Sequence, residues 1–201
     1  MSAIFSEAIC YGLERGDFYG VLYGMPSSHY HGLPAYISSS QVKTMAATSP
    51  AHYYQRYFSL DKKDLKPTAT MTLGSLLHCL VLTPEEFPVD FIVQPKVDAR
   101  TKEGKELRAK FEAEAMGRTV VDEETYEVAK KMALSINKKM GLEIVGAKCE
   151  VSFFWRCPLT QLKFKARADM YRDQTLFELK TTTTAKPVKF AAHAVNMGYE
   201  I

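Results

Sequence analysis

The segment that decides the fold is CEVSFFWRCPLTQLKFKARADMYRDQTLFELK, residues 149–180 of the 201-residue chain. It contains three stretches rich in aromatic and β-branched residues, 149–155, 162–171 and 175–180. Apolar and polar side chains alternate along them with a period of two, which is typical of strands, and turn-forming residues separate the stretches. The segment therefore predicts a three-stranded antiparallel meander.

Helical signals lie on both sides of this meander. Short extended stretches at 91–93 and 119–121 add two strands. N-cap residues and apolar spacing near 3.6 predict helices after Ser38, from Ser49-Pro50, over 68–82, over 101–116, over 123–139 between an Asp122 cap and a stop at Gly141, and from about Pro187. The whole pattern predicts an α/β fold with a central mixed β-sheet flanked by helices.

Length and local composition predict the domain organisation. At 201 residues, of which 46% are hydrophobic, the chain can bury one sizeable core. We place one compact domain at residues 37–201. The first 36 residues are rich in Gly, Tyr and turn formers, a composition that favours irregular backbone. They predict a loosely structured N-terminal arm over 1–36.

Charge and cysteine content exclude few functions but favour one compartment. Twenty-six basic against 23 acidic residues give a net charge of +3, too small an excess to indicate nucleic-acid binding by itself. The four cysteines form no CxxC pair, which favours a reduced, cytoplasmic protein. No apolar run approaches the roughly 20 residues that would span a bilayer, so no membrane association is expected.

One aromatic segment is open to two interpretations. Residues 52–58, HYYQRYF, place four aromatic rings, a histidine and an arginine on one short predicted helix. Such rings pack in a core or against another helix in most proteins. They also stack on the bases of a single-stranded nucleic acid. The residues alone leave both interpretations open.

The end of the meander holds a chemically distinctive set. Glu178 and Lys180, two apart in a predicted strand, share one face, and Asp169 lies near the end of the neighbouring strand. Two adjacent carboxylates repel each other unless a hard cation such as Mg²⁺ or Mn²⁺ lies between them, and the Leu179 carbonyl could supply a further oxygen. The alternative is that these are ordinary strand-end residues in ion pairs with Lys165, Arg167 or Lys180.

Three motifs in chain order resemble those of a known family. They are LGSLLHCLVLTPEEF at 73–87, ARADM at 166–170 and FELKTT at 177–182. They resemble the G-x-x-x-H helix, the R-x-D strand and the D-x-K-T-T strand of the RecE-type exonucleases, in the RecB-like PD-(D/E)xK nuclease superfamily. The resemblance implies a restriction-endonuclease-like core and a Mg²⁺- or Mn²⁺-dependent deoxyribonuclease that degrades duplex DNA from its ends in phage-type recombination.

The same resemblance implies roles for individual residues. It implies that Asp169, Glu178 and Lys180 are catalytic and that the metal ligands are His78, Asp169, Glu178 and the Leu179 carbonyl. Glu150 would lie beside the metal or behind its ligands, and Arg167, Thr181 and Thr182 would face DNA. The expected partners are duplex DNA ends, further copies in a ring-shaped homo-oligomer and a single-strand annealing recombinase, in a bacterial or prophage-encoded cytoplasmic protein.

The sequence departs from the family pattern at two places. Glu178 stands where these exonucleases usually have Asp, and a Q-x-x-x-Y element is expected only beyond Ile201. The nuclease domain is therefore expected to be incomplete at its C-terminus. The alternative function is a nuclease-fold DNA-binding or assembly module without turnover. A hydrolase using His78 and Cys79 is disfavoured, because adjacent helical side chains diverge by roughly 100°.

Overall fold

The structure, a computed structural model, describes residues 2–4, 7–59, 67–96, 100–144, 146–184 and 186–197. The strands are β1 (Ser2–Ile4), β2 (Gly20–Tyr23), β3 (Phe91–Gln94), β4 (Thr119–Asp122), β5 (Lys148–Arg156), β6 (Lys163–Arg172) and β7 (Thr175–Phe177). The helices are α1 (Glu7–Glu14), α2 (Ser27–His31), α3 (Ser39–Ala47), α4 (Pro50–Tyr57), α5 (Ala69–Leu82), α6 (Phe87–Asp90), α7 (Lys102–Glu114), α8 (Glu123–Ile144) and α9 (Pro187–Asn196). The fold is mixed α/β.

The main sheet has the strand order β1-β2-β5-β6-β7. β1 pairs with β2 in parallel, and every other neighbouring pair in this sheet is antiparallel. The predicted meander is confirmed as β5, β6 and β7. Its last strand ends at Phe177, three residues before the end of the predicted strand. β3 and β4 form a separate parallel pair.

The predicted helices are confirmed, and the predicted caps at Ser49 and Asp122 are present. Ser49 Oγ accepts a hydrogen bond from the His52 N–H at 3.3 Å, and Asp122 Oδ1 accepts one from the Thr125 N–H at 2.7 Å. The predicted stop near Gly141 coincides with a break in α8, where Met140 has φ −122° before helical bonding resumes. Among the described helices, none is long and apolar enough to cross a bilayer.

The N-terminal segment differs from the expectation of a loosely structured arm over 1–36. β1 and β2 extend the main sheet beyond β5, and Leu13, Leu22 and Tyr36 lie in one core cluster with Phe154 of β5. The described part of this segment therefore forms regular elements packed on the main sheet instead of an irregular backbone, and the domain boundary at residue 37 stays a prediction. Glycines at positive φ make tight turns between short elements here, and the tyrosines supply buried rings, which composition alone does not reveal.

Tyr36 offers a test of this N-terminal core. Its hydroxyl donates to the Phe18 carbonyl at 2.7 Å and accepts from the Phe18 N–H at 3.1 Å, and its side chain is fully buried. Tyr36→Phe leaves both backbone groups without this partner, so the free energy of unfolding should fall by about 1–2 kcal/mol in urea titrations. Tyr11→Phe on exposed α1 is the control, and an equal loss in both variants would contradict a buried role for Tyr36.

Helix α5 lies between α8 and the main sheet. One side buries Leu76 with Val121 of β4 and Ala129 of α8. Its other side buries Leu77 with Ala133 of α8 and Met170 of β6. Burial on both sides explains the apolar residues over most of its surface. It also places His78, the residue after Leu77, beside Asp169 of β6.

Candidate metal centre

Three side chains from three elements converge where α5 crosses the sheet. They are His78 of α5, Glu150 of β5 and Asp169 of β6, and each offers one ligand atom within 4.8 Å of the other two. One imidazole nitrogen and two carboxylates form a donor set that binds divalent metals. Among the described residues, no other group of three His, Cys, Asp or Glu meets this geometry.

The backbone is irregular at two of these residues. The β5–β6 ladder pairs Cys149 with Met170 and Val151 with Ala168, and it skips Glu150 and Asp169 between them. Glu150 has φ +52°, a left-handed conformation that costs a non-glycine residue on the order of 1–3 kcal/mol. Such conformations concentrate at functional sites, because surrounding contacts must hold them in place.

His78 is oriented by the segment that follows β7. Its Nε2 lies 2.7 Å from the Leu179 carbonyl oxygen, and because a carbonyl only accepts, Nε2 carries the proton. In the neutral ring Nδ1 then carries the lone pair, and it lies 3.7 Å from Asp169 Oδ1. The geometry therefore leaves Nδ1 available to a metal. The Leu179 carbonyl, predicted as a ligand, accepts a hydrogen bond from His78 here.

Asp169 is tied to the same segment and is electrostatically strained. Its Oδ2 accepts the Leu179 N–H at 2.6 Å. Burial raises the pKa of Asp169, as does the nearby Glu178 carboxylate, whereas His78 and the Leu179 N–H lower it. Burial also raises the pKa of Glu150, against the lowering effect of Arg167. Two carboxylates with raised pKa values share one cluster, an arrangement that a divalent cation relieves.

Arg167 holds Glu150 in place. Its Nε lies 3.0 Å from Glu150 Oε2 and also donates to the Glu150 carbonyl at 3.3 Å. The guanidinium donates to the Met25 carbonyl and lies 5.0 Å from the ring centroid of Tyr30. Only 10% of this side chain is exposed. Arg167 thus acts on Glu150, and its DNA contact stays a prediction.

Glu178 and Lys180 lie at the edge of the cluster. Because β7 ends at Phe177, the ladder does not hold them on one strand face as predicted. They form an ion pair with each other, and 52% of the Glu178 side chain is exposed. Glu178 nevertheless lines the same cavity as the cluster. Glu150, which the resemblance placed beside the metal or behind its ligands, therefore joins Asp169 in the cluster, and Glu178 lies at its edge.

The cluster opens into a cavity of about 730 Å³ that Gly74, His78, Glu150, Asp169 and Glu178 help to line. Gly74 and His78 are one turn apart on α5 and so face the same segment, residues 179–181. A Cβ at Gly74 would lie 3.5 Å from Thr181 Oγ1, which leaves room for alanine and little more. This proximity gives a structural reason for the G-x-x-x-H spacing.

Other predicted residues near the cavity have local roles. Thr182 Oγ1 donates to the Thr184 carbonyl at 3.1 Å, so its contact with DNA stays a prediction, as does that of Thr181. Burial raises the pKa of Cys79 to about 11. A thiol with so high a pKa is a poor nucleophile at neutral pH, which argues further against a cysteine hydrolase.

Comparison with known proteins adds no family to this geometry. The cluster formed by His78, Glu150 and Asp169 is therefore the main support for a function. The sequence motifs supply two of these three residues. No family model matches the sequence, and no curated protein matches it either.

Proposed function

We propose that the protein is a Mg²⁺- or Mn²⁺-dependent deoxyribonuclease with a restriction-endonuclease-like core, acting on duplex DNA ends. The observation that carries this proposal is the convergence of His78 and Asp169 on the segment that contains Leu179 and Lys180. His78 lies 91 positions before Asp169 and 102 positions before Lys180 in the sequence. Chance motif matches have no reason to meet in space.

The donor set fits the implied cation. Carboxylate oxygens suit Mg²⁺ and Mn²⁺, and one imidazole nitrogen favours Mn²⁺ over Mg²⁺. Asp169, Glu150 and His78 Nδ1 would hold the ion, with Glu178 at the cavity wall as a further carboxylate. A divalent cation bound there supplies a Lewis acid that polarises a phosphoryl oxygen.

The remaining residues position these ligands and add charge. The Leu179 backbone holds both His78 and Asp169, and Arg167 holds Glu150. Lys180, ion-paired with Glu178, contributes positive charge that stabilises the negative charge developing on a phosphate. DNA, a ring-shaped homo-oligomer and a recombinase partner are proposed on the sequence resemblance.

Lys180→Ala is the first functional test. Wild-type protein should release nucleotides from linear duplex DNA with Mg²⁺ or Mn²⁺ and release none in EDTA. Lys180→Ala should lower that rate by about 100-fold, because one charge-stabilising group is lost, while the midpoint of metal binding changes little. The rate is measured by release of acid-soluble label.

Lys130→Ala provides the matched control. Lys130 forms a half-exposed ion pair with Glu127 on α8 at 3.3 Å, so its loss removes a similar pair away from the cluster. If wild type binds duplex DNA but cuts none with any divalent metal, the proposal fails, and a DNA-binding module without turnover becomes the better description.

A further inference from the structure

A second surface, made by α3, α4 and α9, is basic and aromatic. Residues 18–59 contain no Asp or Glu, although they include Lys43 and Arg56. Residues 179–197 also contain no Asp or Glu, and they include Lys186 and Lys189. Each of these two segments therefore carries an excess of basic over acidic residues.

The two acid-free segments meet in space, close to the metal cluster. Lys43 Nζ of α3 donates to the Met197 carbonyl at the end of α9 at 3.1 Å. Thr44 of α3 and Tyr57 of α4 share a hydrogen bond of 3.2 Å. Ser39 and Ser40, at the start of α3, line the same cavity as the cluster. The surface therefore extends outward from the cavity.

Helix α4 presents aromatic rings to solvent. The exposed fraction is 63% for Tyr54 and 48% for Phe58, and their rings are nearly parallel, with centroids 6.2 Å apart. No residue of α4 is buried. Arg56 lies on the same helix. The rings of Tyr54 and Phe58 are therefore not part of a core, whereas Tyr57 of the same segment contacts α3.

A single-stranded nucleic acid fits this surface better than a second copy of the chain. Helices α3, α4 and α9 include Lys43, Arg56 and Lys189 and contain no acidic residue. A surface of this charge attracts a polyanion, whereas two copies of it repel each other. Exposed aromatic rings stack on unpaired bases of any sequence. Bases inside a duplex are already stacked on one another and cannot reach such rings.

We propose that the α3–α4–α9 surface binds single-stranded DNA, with bases stacked on Tyr54 and Phe58 and phosphates held by Arg56 and Lys189. The proposal rests on the proposed nuclease function, because it places an unpaired DNA strand next to the cavity that contains the metal cluster. It adds a substrate form, a partly single-stranded DNA end, and a binding site that lies outside the cluster.

The test is fluorescence anisotropy of a labelled 20-nucleotide single strand in EDTA, so that cutting cannot interfere. Tyr54→Ala should weaken binding about tenfold without changing the slope of log affinity against log salt. Arg56→Ala should reduce that slope by about 0.7, the value for one lost phosphate contact on a single strand. Tyr54→Phe, which keeps a ring, should restore affinity.

Tyr11→Ala is the matched control, because Tyr11 is an equally exposed tyrosine on α1 beside Arg15. An abasic strand should bind wild type and Tyr54→Ala equally, since it has no bases to stack. Equal weakening by Tyr54→Ala and Tyr11→Ala would overturn the proposal. So would sedimentation showing that Tyr54→Ala disrupts a dimer instead of DNA binding.

Failure here is distinguishable from failure of the nuclease proposal. Binding is measured without metal, so a protein that binds the strand through Tyr54 but never cuts DNA would keep this surface and lose the proposed activity. A protein that cuts duplex ends but binds single strands independently of Tyr54 would lose only the present inference.

Discussion

Asp169→Asn is expected to reduce metal-dependent DNA hydrolysis by at least about 1,000-fold. Asparagine has nearly the same size and can still accept the Leu179 N–H that Asp169 Oδ2 accepts at 2.6 Å. It has no negative charge to hold a cation beside His78 Nδ1. The loss should therefore appear in turnover and in the metal-binding midpoint, measured by titrating Mn²⁺ and Mg²⁺.

The same substitution should stabilise the metal-free protein. Burial raises the pKa of Asp169 in the folded state. The stability that its protonated form contributes is complete below the ordinary carboxyl pKa and is lost as pH rises through the raised value. At pH 7 the ionised carboxylate therefore destabilises the fold, and a neutral asparagine avoids that cost. The Tm of metal-free Asp169→Asn should exceed that of wild type at pH 7.

Asp173→Asn is the control for both effects, because it removes one negative charge from the exposed turn between β6 and β7. It should leave turnover, Tm and the metal-induced rise in Tm close to wild type. If Mn²⁺ still raises the Tm of Asp169→Asn as much as that of wild type, the ion binds elsewhere and the metal centre is wrongly placed.

The sequence predicted local structure well where one strong signal acted alone. Helix α5 begins after its Thr68 cap and ends at Leu82 as its apolar pattern indicates, and the meander has its predicted order. The last strand was predicted too long, because the alternation continues to Lys180 while β-pairing stops at Phe177. Alternation reports which residues share a face, whereas the length of a ladder depends on the partner strand.

The N-terminal segment was mispredicted for a related reason. Its glycines and tyrosines carry no periodic signal, so burial against Phe154 could not be read from residues 1–36 alone. The place of Glu150 beside the metal was implied only by the resemblance. Its proximity to Asp169 depends on the register between β5 and β6, which the individual residues do not encode.

The ion-pair alternative for the site was right in one part. Glu178 and Lys180 do pair with each other. Asp169 has no such partner in Lys165, whose Nζ instead donates to the Tyr30 carbonyl at 2.7 Å and the Leu33 carbonyl at 3.0 Å. Lys165 is only 5% exposed, and beyond these two carbonyls its Nζ lies 4.9 Å from the centroid of the Tyr30 ring.

This burial makes Lys165 a source of pH-dependent stability. Desolvation lowers the pKa of Lys165 from 10.5 to about 8. A neutral amine still has two N–H groups for the two carbonyls, so the folded state accommodates it without losing a hydrogen bond. Between pH 8 and pH 10.5 the unfolded chain binds a proton that the folded chain does not, and stability therefore rises with pH across that window.

We expect wild type to gain about 3 kcal/mol in free energy of unfolding relative to Lys165→Met between pH 7 and pH 10.5. Lys165→Met is the reference because Cys79 also titrates in this range. The pKa of Cys79 is raised to about 11 in the folded protein, so both proteins lose stability above pH 9, which partly hides the gain in wild type alone. Urea denaturation at half-unit pH steps measures both curves. From pH 5 to 7 the lysine is protonated in both states, and the curves should differ there only through His31, whose pKa is lowered by burial and by the nearby Lys165 charge. Parallel curves up to pH 10.5 would mean that water reaches the ammonium and that the segment from Tyr30 to Leu33 does not close over it.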